Sequence, residues 1–199
     1  MKFKDVLTKR RMVRNYTGDP VDEAAVDRIV EAARRAPSAG FSQGQRFIVV
    51  TDPDVRRDIA EAADEPEYVA NGFDPWISSA PVHVVVCVRE DDYHERYSEP
   101  DKLDDGAEIE WPVPYWWVDA GAALMLVLLA AVDEGLGAGF VGFHALPSIK
   151  AKLGIPDDVT PIGVVTIGHP APDRKSSSLK RGRKKREHTV YRDRWNSSF

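Results

Sequence analysis

The chain is expected to fold as α plus β, with a central sheet covered by helices, as one domain spanning 1–199. Three observations lead there. Short uninterrupted apolar runs of strand length, such as FIVV at 47–50 and VHVVVCV at 82–88, alternate with segments whose apolar residues recur at helical spacing. Glycine or proline marks most of the junctions between them. The composition, 43% hydrophobic and 30% charged over 199 residues, suits a globular chain that buries a core without disulfide or metal staples.

In chain order, Phe3, Val6, Leu7 and Arg10 predict a first helix ending near Arg10 and Arg11. Pro20 and Asp22 open a second, with Ala25, Val26, Ile29, Val30 and Ala33 on one stripe. Pro37 closes it, and Ser38, Ala39 and Gly40 are loop chemistry. After the strand at 47–50, Pro53 starts a third helix to about Ala63. Residues 82–88 form a second buried strand. The stretch 89–115 is polar, contains prolines and runs into WPVPYWW, which predicts an excursion or lid. The most apolar helix follows at 119–134, stopped by Gly135 and Gly137. Strands at 138–143 and 161–168 flank a short helix at 147–153. A helix apolar on nearly all sides is buried all round, either in a core or against a second subunit.

The net charge of −5 is unevenly spread. Residues 174–194 hold ten Lys/Arg against Glu187 and Asp193, a balance of +8, so the remainder carries −13. An acidic body repels phosphates, which argues against general nucleic-acid binding. The single cysteine, Cys87, lies in an apolar strand and reads as an inert small hydrophobe. The longest apolar run, about 120–132, falls short of a membrane span. The charged start MKFKDVLTKRR lacks a signal-peptide core, which predicts a cytoplasmic protein.

No GxSxG elbow, P-loop or HExxH occurs, and the five histidines have no metal-ligand spacing. GLGAG at 135–139 follows a helix, whereas a dinucleotide loop follows a strand. What remains is cationic: Arg10, Arg11 and Arg14 lie within five residues, where guanidinium groups suit a phosphate or an electron-rich heterocycle. A solvated basic helix end is the alternative.

An ordered set of motifs resembles the FMN-dependent nitroreductase family. It comprises RRMVR at 10–14 with Tyr16, APSAG at 36–40 with Ser42 and Gln43, and Ala80-Pro81 before VHVVVCV. DAGAA at 119–123 then opens the apolar helix, GLG at 135–137 and Gly142 follow, and GVVTIGHP at 163–170 leads to a basic segment ending Arg194-Trp195. The set covers nearly the whole chain apart from 89–115. The resemblance implies a three-layer α-β-α sandwich with a mostly antiparallel sheet, an intertwined homodimer, and FMN bound between the subunits. NAD(P)H would be the hydride donor, and a nitroaromatic, quinone-like or other conjugated small molecule the acceptor, in a ping-pong cycle.

It also implies roles. Arg10, Arg181 and Arg183 would bind the FMN phosphate, leaving Lys184, Lys185 and Arg186 as surplus. Arg14 would meet the pyrimidine edge of the flavin, with Arg11 and Met12 in the same strip. Pro37, Ser38, Ala39, Phe41 and Gln43 would come from the opposite subunit, and the backbone of Val141 and Gly142 would face N5 and O4. Phe41, Phe73, Trp76, Trp111 and Trp116 would shape the acceptor pocket; packing is the other reading of the tryptophans. The chain departs from the family pattern at Met12, Phe41, Gly44-Gln45 and Val141. Two alternatives stay open: a specialised flavoenzyme on this scaffold (dehalogenation, flavin fragmentation or deazaflavin exchange), and a non-enzymatic flavin-binding protein. A nucleic-acid role for 180–186 would show as steeply salt-dependent DNA binding.

Overall fold

A computed structural model describes residues 1–142, 148–174 and 176–195. Four strands, β1 (Gln45–Val50), β2 (Val82–Arg89), β3 (Gly137–Gly142) and β4 (Val159–Gly168), form one sheet in the order β1-β2-β4-β3. Every neighbouring pair is antiparallel. The unbroken apolar run of β2 has its origin in this order: as a central strand it is buried on both faces from Val82 to Val88.

Strand alternation divides the core in two. Val82, Val84 and Val86, with Val165 and Ile167, pack under α2 (Glu23–Ala33) and α6 (Tyr115–Asp133), through Val26, Ile29, Val127, Leu128 and Ala131. Val85, Cys87 and Val164 face the other way, onto Ile59 and Ala60 of α3 (Pro53–Ala62) and Ile149 of α7 (Ile149–Leu153). The molecule is therefore a three-layer α-β-α sandwich, as the sequence leads one to expect. Full burial of each such aliphatic side chain contributes roughly 1.5–3 kcal/mol. Burial also pushes the Cys87 thiol up to about 12, so it stays protonated and unreactive.

Helix starts follow local chemistry. The Asp22 carboxylate accepts the Ala24 N–H at the head of α2, and Asp52 accepts from Asp54 and Val55 at the head of α3, where Pro53 is the first residue. The first helix, α1 (Phe3–Lys9), ends just ahead of the arginine strip. Two helices lie where none was expected. One is α4 (Glu65–Ala70), whose buried Glu65 accepts the backbone N–H groups of Ile77 and Ser78. The other is α5 (Asp91–Tyr97), inside the 89–115 excursion.

The apolar helix α6 begins at Tyr115 rather than Asp119, with Pro114 as its N-cap. Its nineteen residues are long and apolar enough to cross a bilayer, so the shorter run expected from sequence is corrected. It lies across the sheet, burying Trp116, Asp119, Ala120, Ala123, Val127, Leu128, Ala131 and Val132. The last residue of the strand expected at 138–143 and the first of the short helix expected at 147–153 lie outside the described residues.

Candidate active site

The arginine strip is drawn against β3 by backbone pairing. Met12 bridges Ala138 in parallel, and the Val13 N–H donates to the Ala138 carbonyl at 2.9 Å. The approach is close enough to require glycine: a Cβ on Gly139 would sit 2.4 Å from the Val13 carbonyl oxygen and 2.8 Å from the Trp76 ring. The Tyr16 hydroxyl, buried beneath, hydrogen-bonds Thr166 at 2.8 Å; burial pushes its pKa above the ordinary tyrosine range. Strip, β3 and Trp76 thus form one rigid wall. Val141 and Gly142 continue β3 beyond the Met12 bridge, at the edge of the sheet.

A second seam fixes the strip from the other side. The Thr17 N–H donates to the His169 carbonyl (3.0 Å), and the Ala171 N–H donates to the Asn15 carbonyl (3.0 Å). Asn15 Nδ2 donates to the Pro172 carbonyl (2.8 Å), and the Arg14 N–H donates to Asp173 Oδ2 (2.8 Å). Arg11 is paired with the same Asp173 at 3.2 Å. The Arg14 guanidinium lies 5.8 Å over the Trp76 ring and faces no carboxylate among the described residues. Arg10, half-buried, has no ion pair among them either, and Arg181 and Arg183 are exposed in the same state.

The loop at 37–43 is built elsewhere and under strain. Gly40, Phe41 and Gln43 all have left-handed φ, of 59°, 60° and 55°. For a phenylalanine that conformation costs on the order of 1–3 kcal/mol and persists only where the surroundings impose it. Here they do. Asp119 Oδ2 accepts both the Ala39 N–H (2.9 Å) and the Tyr93 hydroxyl (2.9 Å). Arg96 Nε donates to the Gly40 carbonyl (3.0 Å), and Ser38 Oγ accepts the Gln43 N–H (2.9 Å). Gln45 Nε2 reaches the Pro37 carbonyl at 3.0 Å. The result is a braced loop that leaves the Phe41 ring 75% exposed.

The two excursion tryptophans pack into that brace. Trp111 meets Tyr97 at 4.6 Å and Trp116 at 5.6 Å, and its Nε1 donates to Glu108. Trp116 is 6% exposed, and its Nε1 has no partner among the described residues. His94 bonds Glu108 through Nδ1 at 2.6 Å, and that bond raises its pKa above the ordinary imidazole value. Phe73 lies apart from them, edge-on to Tyr68 at 6.0 Å with Arg174 over its face.

Within one chain, therefore, Val13, Arg14 and Val141 meet at Trp76, while Met12 pairs with Ala138 and Arg11 with Asp173. The loop at 37–43 groups with α5, with Trp111 in the connection between α5 and α6, and with Trp116 of α6. Among the described residues no hydrogen bond or ring contact joins the two groups. Sequence reasoning missed the parts played by Asp119, Asp173 and Tyr68, and took Trp76 for an acceptor-face or packing residue rather than a platform for Arg14. Only Asp119 carried a visible sign, a lone acid near the start of an apolar helix.

The family model described as "Nitroreductase family" matches residues 7–169 of the chain. The chain belongs to the nitroreductase family. It is 34% identical over 176 residues to the "FMN reductase [NAD(P)H]" of Bacillus subtilis, a match covering 83% of this chain and 64% of that relative. The chain thus spans less than two-thirds of the relative's length. Among solved structures, the hypothetical oxidoreductase YcnD of B. subtilis is 28% identical with a TM-score of 0.74, covering 98% of this chain and 75% of that one. A nitroreductase family protein of Clostridium novyi NT is 25% identical with a TM-score of 0.66, covering 100% and 97%. The nitroreductase fold agrees with the four-stranded antiparallel sheet and its two helical layers.

Proposed function

We propose that this nitroreductase-family chain is an FMN-dependent oxidoreductase that carries two electrons from NAD(P)H to a conjugated acceptor, quinone-like or nitroaromatic. The observation that carries the reading is the rigid hold of the strip against the edge of β3, which leaves the Arg10 and Arg14 side chains without an ion pair among the described residues. That donor set fits FMN. Arg10, Arg181 and Arg183 supply bidentate donors for a phosphate, and Arg14 supplies a fixed cation for the pyrimidine edge of the flavin. When bound, FMN supplies the hydride and electron chemistry, so no side-chain nucleophile is needed.

The protein's own residues bind, orient and exclude water. Trp76 stacks Arg14 and restricts its swing, so the cation is set before any ligand arrives. A cation at that edge favours extra negative charge on the ring and raises the potential. Val141 and Gly142 present backbone groups where a glycine permits close approach. The braced loop at 37–43 holds Phe41 outward, suited to covering a ring bound in a neighbouring subunit.

The dimer belongs to the same proposal. α1 packs on α6, and Phe3, Leu7, Val118 and Met125 remain exposed on these two helices. Apolar residues grouped in this way mark an association surface. A dimer would also bring one chain's loop at 37–43 to the other's arginine strip.

Steady-state rates with NADH or NADPH against a quinone and a nitroaromatic test the proposal. Turnover with parallel double-reciprocal lines is the expected result. Intersecting lines would replace the ping-pong order with a ternary complex, and no turnover with either donor would sink the enzyme reading.

A further inference from the structure

Arg174 is placed with unusual care for an exposed cation that has no ion pair among the described residues. Four hydrogen bonds between 14–17 and 169–173 hold the segment that leads into it, the last of them from the Arg14 N–H to the side chain of Asp173, its immediate neighbour. Its guanidinium then lies 5.8 Å over the Phe73 ring, and Tyr68 steadies that ring edge-on at 6.0 Å and 68°. Arg14 repeats the arrangement over Trp76, also at 5.8 Å, on the other side of Asp173. Two guanidinium groups thus stand on aromatic faces along one seam. A guanidinium stacked by its face keeps its edge N–H groups free, and those edges match a carboxylate or sulfonate two bonds at a time. Asp173, the acid nearest in sequence, is already engaged by Arg11 and the Arg14 backbone and is only 6% exposed.

We propose that Arg174 over Phe73 is the specificity-determining element of the acceptor site, and that the site takes planar aromatic anions, such as carboxylated or sulfonated acceptors. The proposal rests on the oxidoreductase reading, because Arg14 would already be engaged at the flavin edge. That leaves Arg174 as the cation of the seam with no ion pair among the described residues, one residue beyond the Asp173 that holds the Arg14 backbone. A flat acceptor stacked at the flavin would then direct its anionic group to Arg174, with the Tyr68–Phe73 pair as its apolar side.

The test is calorimetric titration of FMN-loaded protein with benzoate and with benzamide, its neutral isostere, in wild type, Arg174→Gln and Arg174→Lys. Benzoate binding should weaken about tenfold in R174Q and partly recover in R174K, while benzamide binding stays unchanged. A kinetic arm compares kcat/KM for 4-nitrobenzoate and 4-nitrobenzamide, with the same selective loss expected. Equal effects on both members of a pair, or none, overturn the proposal. So does a variant in which reduction by NADPH slows while the benzoate pair is untouched, since Arg174 would then serve the donor's phosphates. Failure of the oxidoreductase reading shows separately, as a wild type that turns over neither nitro compound whatever its benzoate affinity.

Discussion

Around α5, Arg89 is closed in by carboxylates: Asp158 at 2.7 Å, Asp92 at 2.7 Å and Glu95 at 2.9 Å. Arg96 beside it holds Asp101 with both ends of its fork, at 2.8 Å each. Along the seam, by contrast, Arg14 and Arg174 meet only aromatic rings, and Arg10, Arg181 and Arg183 have no ion pair among the described residues. Both regions are rich in arginine and both are rigidly positioned. The difference is where the counter-charge comes from. On the α5 side it comes from the chain, so those cations brace the loop at 37–43. On the seam side only Arg11 finds it among the described residues, in Asp173, and the remaining guanidinium edges stay open to an anionic ligand.

The largest expected effect lies in the closed core between the sheet and α3. His83 is fully buried; burial pushes its pKa down to about 4, while a hydrogen bond to the Ile77 carbonyl opposes that shift. The unfolded chain, with an ordinary imidazole near pH 6.5, therefore takes up the proton first. Stability is whole above about pH 6.5 and falls as pH drops toward 4, by about 3 kcal/mol in all. Asp101 and Asp158 titrate below their ordinary value because Arg96 and Arg89 bond them, so those ion pairs survive this range. Urea melts from pH 7.5 to 4.5 should show the slope, and His83→Gln should flatten it. An unchanged slope in that variant would remove His83 as its cause.

Next comes the pair of arginine classes itself. Arg10→Ala combined with Arg181→Ala and Arg183→Ala should weaken FMN retention by about tenfold to a hundredfold and leave the melting temperature of the apoprotein unchanged. Arg89→Gln should do the reverse, lowering the melting temperature while FMN affinity holds. If both variants changed both readouts, the distinction between internal and external counter-charge would not stand. The smallest effect is electronic: Arg14→Ala should lower the potential of bound FMN by about 30 mV, measured against a redox dye. A potential that does not move takes Arg14 away from the ring edge.

Much of the scaffold was legible because its elements satisfy themselves locally. VHVVVCV announces a strand buried on both faces, and the 25, 26, 29, 33 stripe announces α2, with Asp22 as a ready cap. The two missed helices lack such self-evidence. Only Tyr93 is buried in α5, and its acids Asp91, Asp92 and Glu95 find their partners, Arg46 and Arg89, elsewhere in the chain. α4 is six residues long and is tied down by Glu65 reaching Ile77 and Ser78. The extra turn at the start of α6 was hidden because two prolines in WPVPYWW look like loop, although Pro114 acts as the cap. The same holds at the candidate site. Arg10, Arg11 and Arg14 are visible as a cluster, but nothing local tells that Arg11 is spent on Asp173 while Arg14 rests on Trp76. Those pairings cross more than sixty residues and depend on the sheet being built first.

The most direct test is the absorption spectrum of the purified protein, taken before and after anaerobic addition of NADPH, with NADH in parallel. The expected result is a yellow protein, or one that turns yellow and holds added FMN, whose flavin bands bleach with at least one nucleotide. A colourless protein that takes up no FMN would contradict the seam as a flavin site. Stable yellow bands that neither nucleotide bleaches would contradict the oxidoreductase reading while leaving the binding site in place.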